Sequence, residues 1–440
     1  MAREMKDSGI AWIGEIPEGW KICRLKNIGH LYGGLTGKSG DDFNVDEGDV
    51  HAMFIPFTNI FNNSIIDIHK LQKVKIYEGE SQNSVINGDL LFLMSSEDVD
   101  GIGKCSLLKD YIPNLYLNSF CKGFRIYDNN VNSIFLNYLM SSHILRELIR
   151  VEAKGFIRIN LRQDKLACCP IFLPSFPEQR AIADYLDKKC GEIDELISLQ
   201  EKMIEELKAY KQSVITEAVT KGLNPDVPMK DSGIEWIGEI PISSKIVTLK
   251  KFVEVKDGTH DTPNYVNQSY NTYPLVTSRC IINGKIDISL ANHISEKDYL
   301  DIIKRSKVSI FDIIMPMIGT VGNPAIVLDN EDIAIKNVAL FKMNGNYVNA
   351  RYLQYFLNSN ITLEQFLLIN RGGVQNFVSQ AIIKNLLFIL PLNIEEIVNY
   401  LDNKCSEIDS LIALKQKKIE ELKEYKKSMI YEYVTGKKEV

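Results

Sequence analysis

The chain has 440 residues, of which 45% are hydrophobic and 25% charged, a composition typical of folded globular domains. At roughly 150 residues per domain, this length predicts two to four domains. The formal net charge is −6, so a surface that binds nucleic acid would have to be a local basic patch. The eight cysteines lack CxxC spacing, and no apolar run approaches the ~20 residues of a membrane span. We therefore expect a cytoplasmic protein with free thiols, without a zinc site and without a membrane segment.

An internal repeat organises the chain. Residues 5–17 recur at 229–241 with twelve of thirteen positions identical, and residues 185–220 recur as a close copy at 400–435. The sequence between these anchors diverges, and only faint similarities remain, such as 88–94 against 311–317. Repeats of this size mark repeated structural units. Constant ends suit a shared scaffold or a shared partner, whereas variable middles suit two related domains with different ligands.

In chain order, the first variable middle combines short apolar runs with turns that contain Gly and Asn, which predict strands and tight connections. It closes on a helical pattern over 134–149. A long helix is predicted from Tyr185, and Lys221-Gly222-Leu223-Asn224-Pro225 terminates it. The second middle repeats the strand pattern, closes on a helical pattern over 350–368, and precedes a second long helix from Tyr400.

Both long helices carry apolar residues at steps of three and four, the pattern of a coiled-coil seam. The residues of this predicted seam are Ile193, Leu196, Ile197, Met203, Ile204, Leu207, Tyr210, Val214 and Ala218, and then Ile408, Leu411, Ile412, Ile419, Leu422, Tyr425 and Met429. The predicted fold class is α+β, with two mixed α/β domains joined by two long antiparallel coiled-coil helices in a pseudo-twofold repeat. The predicted boundaries are 1–172 for the first domain, 173–222 for the first spacer helix, 223–389 for the second domain and 390–440 for the second spacer helix. Two ordinary core helices of a bundle remain the alternative.

Motifs for catalysis or cofactors are weak or incomplete. Residues 33–39 read GGLTGKS, which is one residue short of the spacing of a phosphate-binding loop. Residues 257–261 read DGTHD and offer no second ligand cluster at metal-site spacing. We found neither a nucleophile elbow nor a nuclease cluster of carboxylates and lysine. The sequence therefore predicts a protein that binds rather than catalyses, with no cofactor of its own.

The order and duplication of several short motifs resemble the specificity subunits of type I restriction-modification systems. The motifs are residues 5–10 with 12–17, Gly19-Trp20, residues 54–60, Leu173-Pro174, residues 177–180, and residues 185–187 with Ile193-Asp194. The second half departs from this pattern, because Ser243-Ser244 replace Gly19-Trp20, and Asn393-Ile394-Glu395-Glu396 stand where the first half has Pro-Glu-Gln-Arg. We therefore expect the two ends to hold partners with unequal strength.

The resemblance implies that the two variable middles are target-recognition domains, each reading one half of a bipartite, asymmetric site in double-stranded DNA. It also implies two methyltransferase subunits bound along the helices, with restriction subunits added outside them. S-adenosylmethionine, ATP and Mg²⁺ would belong to those partner subunits. The chain itself would be a targeting subunit without catalytic activity.

Candidate base-reading residues are expected on polar loops of the variable middles, because the lysines of the long helices alternate with glutamates as on a solvated helix face. Arg pairs with guanine, and Asn or Gln with adenine, in bidentate geometry, and neighbouring Gly residues allow a close backbone approach. The candidates are Lys38, Asn59, Lys154, Arg158, Asn160 and Arg162 in the first domain, and Thr259, His260, Arg279, Arg371, Gln375 and Asn376 in the second.

Two other functions remain open on the sequence. One is a coiled-coil scaffold with two domains that bind ligands other than DNA. The other is nucleotide hydrolysis at the Gly33 loop. Binding to DNA that weakens with salt separates the first from a DNA-reading subunit, and nucleotide binding by the isolated chain would support the second.

Overall fold

Two compact units make up the fold. The computed structural model describes residues 3–10, 13–46, 51–155, 158–318, 322–329, 332–369 and 377–440. Unit 1 comprises Met1–Leu199 with Lys417–Val440, and unit 2 comprises Gln200–Gln416. The divisions fall inside the two long helices, so each unit contains one part of both. This division differs from the four segments predicted from the sequence, whose boundaries stay a prediction.

Unit 1 is built from short strands and a few helices around one variable middle. Its strands are β1 Met5–Asp7, β2 Glu15–Pro17, β3 Lys21–Arg24, β4 Gly29–Gly33, β5 His51–Ile55, β6 Gln72–Lys75, β7 Leu90–Leu93, β8 Ser95–Ser96, β9 Cys105–Leu107, β10 Leu115–Leu117, β11 Cys121–Ile126, β12 Ile159–Asn160 and β13 Pro170–Leu173. Its helices are α1 Phe57–Asn62, α2 Ser133–Ser141, α3 His143–Glu152, α4 Gln163–Ala167 and the first part of α5 Phe176–Lys221. An antiparallel sheet has the order β4-β11-β7-β9, and a smaller sheet has the order β10-β5-β6, in which β5 and β10 are parallel.

Unit 2 repeats this topology with different side chains. Its strands are β14 Met229–Asp231, β15 Glu239–Pro241, β16 Lys245–Thr248, β17 Glu254–Asp257, β18 Thr272–Val276, β19 Ile281–Ile282, β20 Lys285–Ile286, β21 Asn292–Ser295, β22 Ile313–Pro316, β23 Ala325–Ile326, β24 Ala334–Ile335, β25 Val338–Lys342 and β26 Leu387–Leu390. Its helices are α6 Glu296–Ser306, α7 Tyr347–Asn358, α8 Asn360–Ile369, α9 Gln380–Lys384 and the first part of α10 Ile394–Val434. The sheet order β17-β25-β22-β23 matches β4-β11-β7-β9, and β18 lies between antiparallel β21 and parallel β24. The internal repeat of the sequence is therefore a repeat of fold.

The long helices pack antiparallel within each unit. In unit 1, the Tyr185 and Tyr433 rings pack at a tilt with centroids 4.6 Å apart, and Lys426 donates to the Asp194 carboxylate at 2.6 Å. In unit 2, Lys211 donates to the Asp409 carboxylate at 2.7 Å. Along these contacts the residue numbers rise on one helix and fall on the other, so the two helices run in opposite directions. This confirms the predicted antiparallel pair.

The predicted seam is only partly correct. Ile193 and Ile204 are buried, as are Val214 and Ala218, but Leu196 and Tyr210 on the first helix and Leu411 and Tyr425 on the second are about half exposed. Packing of the two helices on each other and on the domains therefore leaves some of their apolar residues unburied. The helical patterns that close the two middles also differ from expectation, because each one forms two helices. Ser142 and Ser359 interrupt them, and each serine hydroxyl donates to a carbonyl three residues earlier.

A buried carboxylate anchors the larger sheet of unit 1. Asp89 is 1% exposed and accepts hydrogen bonds from the Tyr32 hydroxyl at 2.6 Å, the Arg125 guanidinium at 2.7 Å and the Ile86 amide at 2.9 Å. Burial and the Asp89 carboxylate raise the pKa of Tyr32, so its hydroxyl keeps the proton that it donates. A buried charge is tolerated here because it is fully hydrogen-bonded.

Unit 2 has the same device with different partners. Asp312 is fully buried and accepts from the Lys342 ammonium, from the Ser309 amide at 2.8 Å and from the Met343 amide at 2.9 Å. Asp89 and Asp312 occupy corresponding places just before β7 and β22. The faint sequence similarity at 88–94 and 311–317 therefore marks a shared structural support.

The two repeated N-terminal hairpins differ at one buried position. In unit 1, the Trp20 indole is 1% exposed and donates to the Glu178 carboxylate at 3.2 Å, and the Arg3 guanidinium lies 5.5 Å from its ring. In unit 2 the corresponding position is Ser244, which is also buried. The first hairpin is therefore tied to the start of α5 by an indole and a carboxylate, which serine cannot reproduce.

Candidate nucleic-acid interface

Four polar segments of unit 1 meet at one end of its four-stranded sheet. The end of β4 pairs with the start of β11 (Gly33 with Lys122), and the end of β7 pairs with the same start (Leu93 with Cys121). Beyond β7, the β8 strand pairs with β12. The segments after β4, after β7, before β11 and around β12 therefore converge. We call this set the recognition end of unit 1, and it comprises residues 34–46, 94–103, 118–120, 154–155 and 158–160.

Unit 2 has a corresponding end. The end of β17 pairs with β25 (Asp257 with Ala339), β22 ends opposite Val338, and a bridge joins Ile318 to Phe377 as β8 joins β12 in unit 1. We call residues 258–270, 317–318, 336–337 and 377 the recognition end of unit 2. Topology thus places two loop clusters of different sequence on equivalent frameworks.

The predicted loop of the first domain is closed by its own backbone. The Lys154 amide donates to the Asn160 carbonyl at 3.0 Å, and the Asn160 amide returns a bond of 2.9 Å. The Asn160 side-chain amide donates to the Arg158 carbonyl at 3.1 Å. Gly155 adopts a φ of +153°, and a Cβ there would lie 2.0 Å from the Arg158 carbonyl oxygen. Lys154, Arg158 and Asn160 are all exposed, so this closed loop presents a cation at each side and an amide at its base.

Arg158 stands at the mouth of an aromatic cavity of about 340 Å³. Its guanidinium carbon lies 5.0 Å from the Phe120 ring, and its Nη2 is 3.8 Å from the Glu97 carboxylate. Ser95 Oγ is buried in the wall, and among the described residues it has no hydrogen-bond partner. The residues lining this cavity are Phe57, Phe61, Ser95, Ser96, Glu97, Asp98, Phe120 and Arg158. The guanidinium thus lies over a ring, beside a carboxylate, on a side chain that is half exposed.

Two candidates of the first domain have structural roles. The Asn59 side chain is 2% exposed. It donates to the Asp67 carbonyl at 2.9 Å and accepts from the Asp67 amide at 3.1 Å, so it holds its own loop, and its role in reading DNA stays a prediction. The Lys38 side chain is 4% exposed and donates to Glu80 at 2.6 Å, and this hydrogen bond lowers the pKa of Glu80 to about 2. Lys38 is therefore occupied within the fold and is not presented to a phosphate, as a nucleotide-binding loop would require.

The remaining candidates are more exposed. Arg162 directly precedes α4 as its N-cap residue and pairs with Asp164 at 2.9 Å. Thr259 bridges to Lys336, and the exposed His260 ring lies 3.0 Å from Asn337 and 3.1 Å from Asp257. Arg279 is exposed on the single turn after β18. Arg371, Gln375 and Asn376 lie outside the described residues, so they stay predictions.

Sequence reasoning missed part of this surface. Glu97 and Phe120 frame Arg158, and Lys336 at the corresponding end of unit 2 donates to the Thr262 hydroxyl. The sequence was read for cationic and amide side chains that can contact DNA, so a carboxylate and an aromatic ring were not selected. The available signal was position, because Glu97 lies three residues after the strand similarity at 88–94.

The long helices expose matching apolar residues in both units. Unit 1 exposes Leu196 and Leu199, and unit 2 exposes their repeat counterparts Leu411 and Leu414, each by 47–64%. Leucines at corresponding positions of the repeated helix give each unit an equivalent exposed apolar surface.

Among the described residues no cluster of His, Cys, Asp or Glu is arranged to hold a metal ion, and no described helix combines the length and apolarity needed to cross a bilayer.

Comparison with known proteins gives consistent matches. Residues 17–209 match the family model of the type I restriction modification DNA specificity domain. The putative type I restriction enzyme MjaX specificity subunit of Methanocaldococcus jannaschii is 26% identical over 452 aligned positions, covering 97% of this chain and 95% of that protein.

Solved structures share the fold. One, described as the structural basis of complex assembly and conformational transition of the type I R-M system, superposes with a TM-score of 0.70 at 14% identity, covering 95% of this chain and 98% of the other. The HsdS subunit from Thermoanaerobacter tengcongensis superposes with a TM-score of 0.51 at 15% identity, covering 96% and 98%. The duplicated motifs, the repeated topology and these matches agree. The family match, the curated relative and the structural neighbours all support a type I restriction-modification specificity subunit, a class of targeting subunits without catalytic activity.

Proposed function

We propose that the chain binds double-stranded DNA at a bipartite, asymmetric site, with the recognition end of each unit reading one half-site. The observation that carries the proposal is the pairing of one repeated framework with two different loop clusters. A shared framework orients both ends alike, while side chains that differ read different bases. Sequence is read through base edges by side chains held on such a framework.

The chemistry of the recognition ends supports DNA as the ligand. The exposed groups of unit 1 include Lys154, Arg158 and Asn160, which provide a phosphate or guanine contact, a bidentate guanine contact and an adenine contact. In unit 2 the corresponding groups are the exposed His260 and the partly buried Lys336, whose ammonium donates to the Thr262 hydroxyl. These cations are local, and this agrees with a chain whose net charge is −6.

The matching leucines of the long helices support two copies of the same partner. We assign Leu196 with Leu199, and Leu411 with Leu414, to the docking of two methyltransferase subunits, with restriction subunits added to that assembly. Contiguous exposed apolar patches mark protein-binding surfaces, and the two leucines of each pair are three residues apart, so they neighbour each other on one face of the helix. S-adenosylmethionine, ATP and Mg²⁺ would be bound by those partners.

The test has two parts. Adenine methylation mapped across the host DNA should fall on a split motif whose two halves differ and are separated by unread positions. Duplexes that carry this motif should bind the full-length chain, assembled with its methyltransferase subunits, with an affinity that falls steeply as salt rises. A continuous or palindromic motif contradicts the bipartite reading. Absence of DNA binding at low salt would favour a scaffold for other ligands.

A further inference from the structure

The Arg158–Glu97 pair has no evident structural purpose. The Arg158 side chain is 50% exposed and the Glu97 side chain 81% exposed, and their charged atoms lie 3.8 Å apart. Such exposed ion pairs contribute little to stability, about 0–1 kcal/mol. Both residues nevertheless sit on anchored loops at the recognition end, where a carboxylate would repel the phosphates of a bound duplex. An explanation must therefore give the carboxylate a favourable contact with DNA.

The loop that carries Glu97 is held in place by a buried arginine. Arg146 on α3 is buried and donates to the backbone carbonyls of Asp100 and Ile102. Burial lowers the pKa of Arg146 to about 10, so it remains charged at neutral pH. The loop of Arg158 is fixed by the Lys154–Asn160 backbone pair and by the Phe120 ring. The two side chains are thus presented from preorganised loops, which lowers the entropy cost of a specific contact.

Base chemistry selects the ligand of such a pair. In the major groove a carboxylate accepts from the amino group of cytosine, while an arginine donates to O6 and N7 of guanine. Within one G·C pair the cytosine N4 and the guanine O6 are hydrogen-bonded to each other, about 2.9 Å apart. Side-chain groups 3.8 Å apart can therefore address both bases of a single pair. An A·T pair places the thymine methyl group against one of the two side chains.

We infer that Arg158 and Glu97 together read one G·C pair in the half-site bound by unit 1, with Arg158 on guanine and Glu97 on the cytosine amino group. This inference rests on the proposed function. Phe57, Phe61 and Phe120 line the cavity beside this pair, and the Phe120 ring lies 5.0 Å from the Arg158 guanidinium carbon. The described turn of unit 2 that corresponds to Phe120 carries Lys336 and Asn337, so the second half-site is read by other groups.

The experiment is a selection from a randomised duplex pool with the full-length chain assembled with its methyltransferase subunits. The test variants are Arg158→Ala and Glu97→Ala. The matched controls are Arg24→Ala and Asp110→Ala, which remove an exposed charge at the opposite end of the four-stranded sheet. Both test variants should lose discrimination at the same G·C position, by roughly 5- to 150-fold, and leave the other half-site unchanged. The controls should return the wild-type motif.

Modified bases give an atomic readout. Replacing that guanine by 7-deazaguanine should weaken the wild-type complex and leave the Arg158→Ala complex unaffected. N4-methylcytosine should weaken the wild-type complex and leave the Glu97→Ala complex unaffected. Retention of the other positions of the first half-site shows that unit 1 of a variant is folded.

The negative results distinguish a failure of this inference from a failure of the proposed function. The inference is overturned if both variants select the wild-type motif, if the relaxed position is not G·C, or if affinity falls equally for every duplex. If the wild-type assembly selects no motif, then the proposed function itself fails.

Discussion

The docking role of the helix leucines can be tested through their duplication. Full burial of a leucine side chain contributes about 1.5–3 kcal/mol, and Leu196 and Leu199 are 47% and 51% exposed in the chain alone. Burying that remaining half against a partner is worth about 0.7–1.5 kcal/mol each, or about 1.5–3 kcal/mol for the pair. Leu196→Gln with Leu199→Gln should therefore weaken one methyltransferase copy by roughly 10- to 150-fold. Glutamine keeps the side-chain length and helix propensity.

Native mass spectrometry across a concentration series measures this loss directly. Each double variant, including Leu411→Gln with Leu414→Gln in unit 2, should form a complex with one methyltransferase subunit at concentrations where the wild type holds two. Leu300→Gln is the control, because Leu300 is 49% exposed on α6 and lies away from the long helices. If both double variants retain two partners at wild-type affinity, or if the control loses a partner equally, then the helices do not dock methyltransferases through these residues.

Four further substitutions test individual structural supports of the two units. Gly155→Ala should weaken binding to the first half-site and spare the second in duplex titrations, because its Cβ would displace the Arg158 carbonyl; equal loss at both half-sites would contradict this. Asp89→Ala and Asp312→Ala should each destabilise one unit by about 3–5 kcal/mol in urea unfolding, since each leaves a cation without its buried partner; a change under 1 kcal/mol would show that the carboxylates are not supports. Asn59→Ala should cost about 1–3 kcal/mol of stability with an unchanged DNA motif, and an altered motif would restore Asn59 as a reader.

Much of the architecture was predictable because its signals are local or repeated. The helix periodicity after Tyr185 and Tyr400 does not depend on distant contacts, and the terminator beginning at Lys221 acts within a few residues: α5 ends at Lys221, and Gly222 has a φ of +75°. The near-identical segments 5–17 and 229–241 fold into hairpins with the same register, Met5 opposite Pro17 and Met229 opposite Pro241.

Errors arose where burial depends on contacts between distant residues. Asn59 looked like an exposed amide, but its loop folds back to Asp67 and buries it. Leu196 and Leu411 fit the heptad spacing of a seam, yet each side chain remains about half exposed. A period alone states which residues share a helix face, and it does not state how much of that face a neighbour covers.

By itself, the sequence determined the repeat, the α+β class, the antiparallel helices and the resemblance to type I specificity subunits, because each depends on short-range pattern or on motifs preserved in order. Only the tertiary structure decided which loops meet. Glu97 and Arg158 are far apart in sequence and come together because β8 pairs with β12, and Lys38 is removed from the surface by Glu80 on a separate loop. Strand pairing joins residues whose separation in sequence carries no periodic signal, so the composition of the recognition ends could be established only from the folded chain.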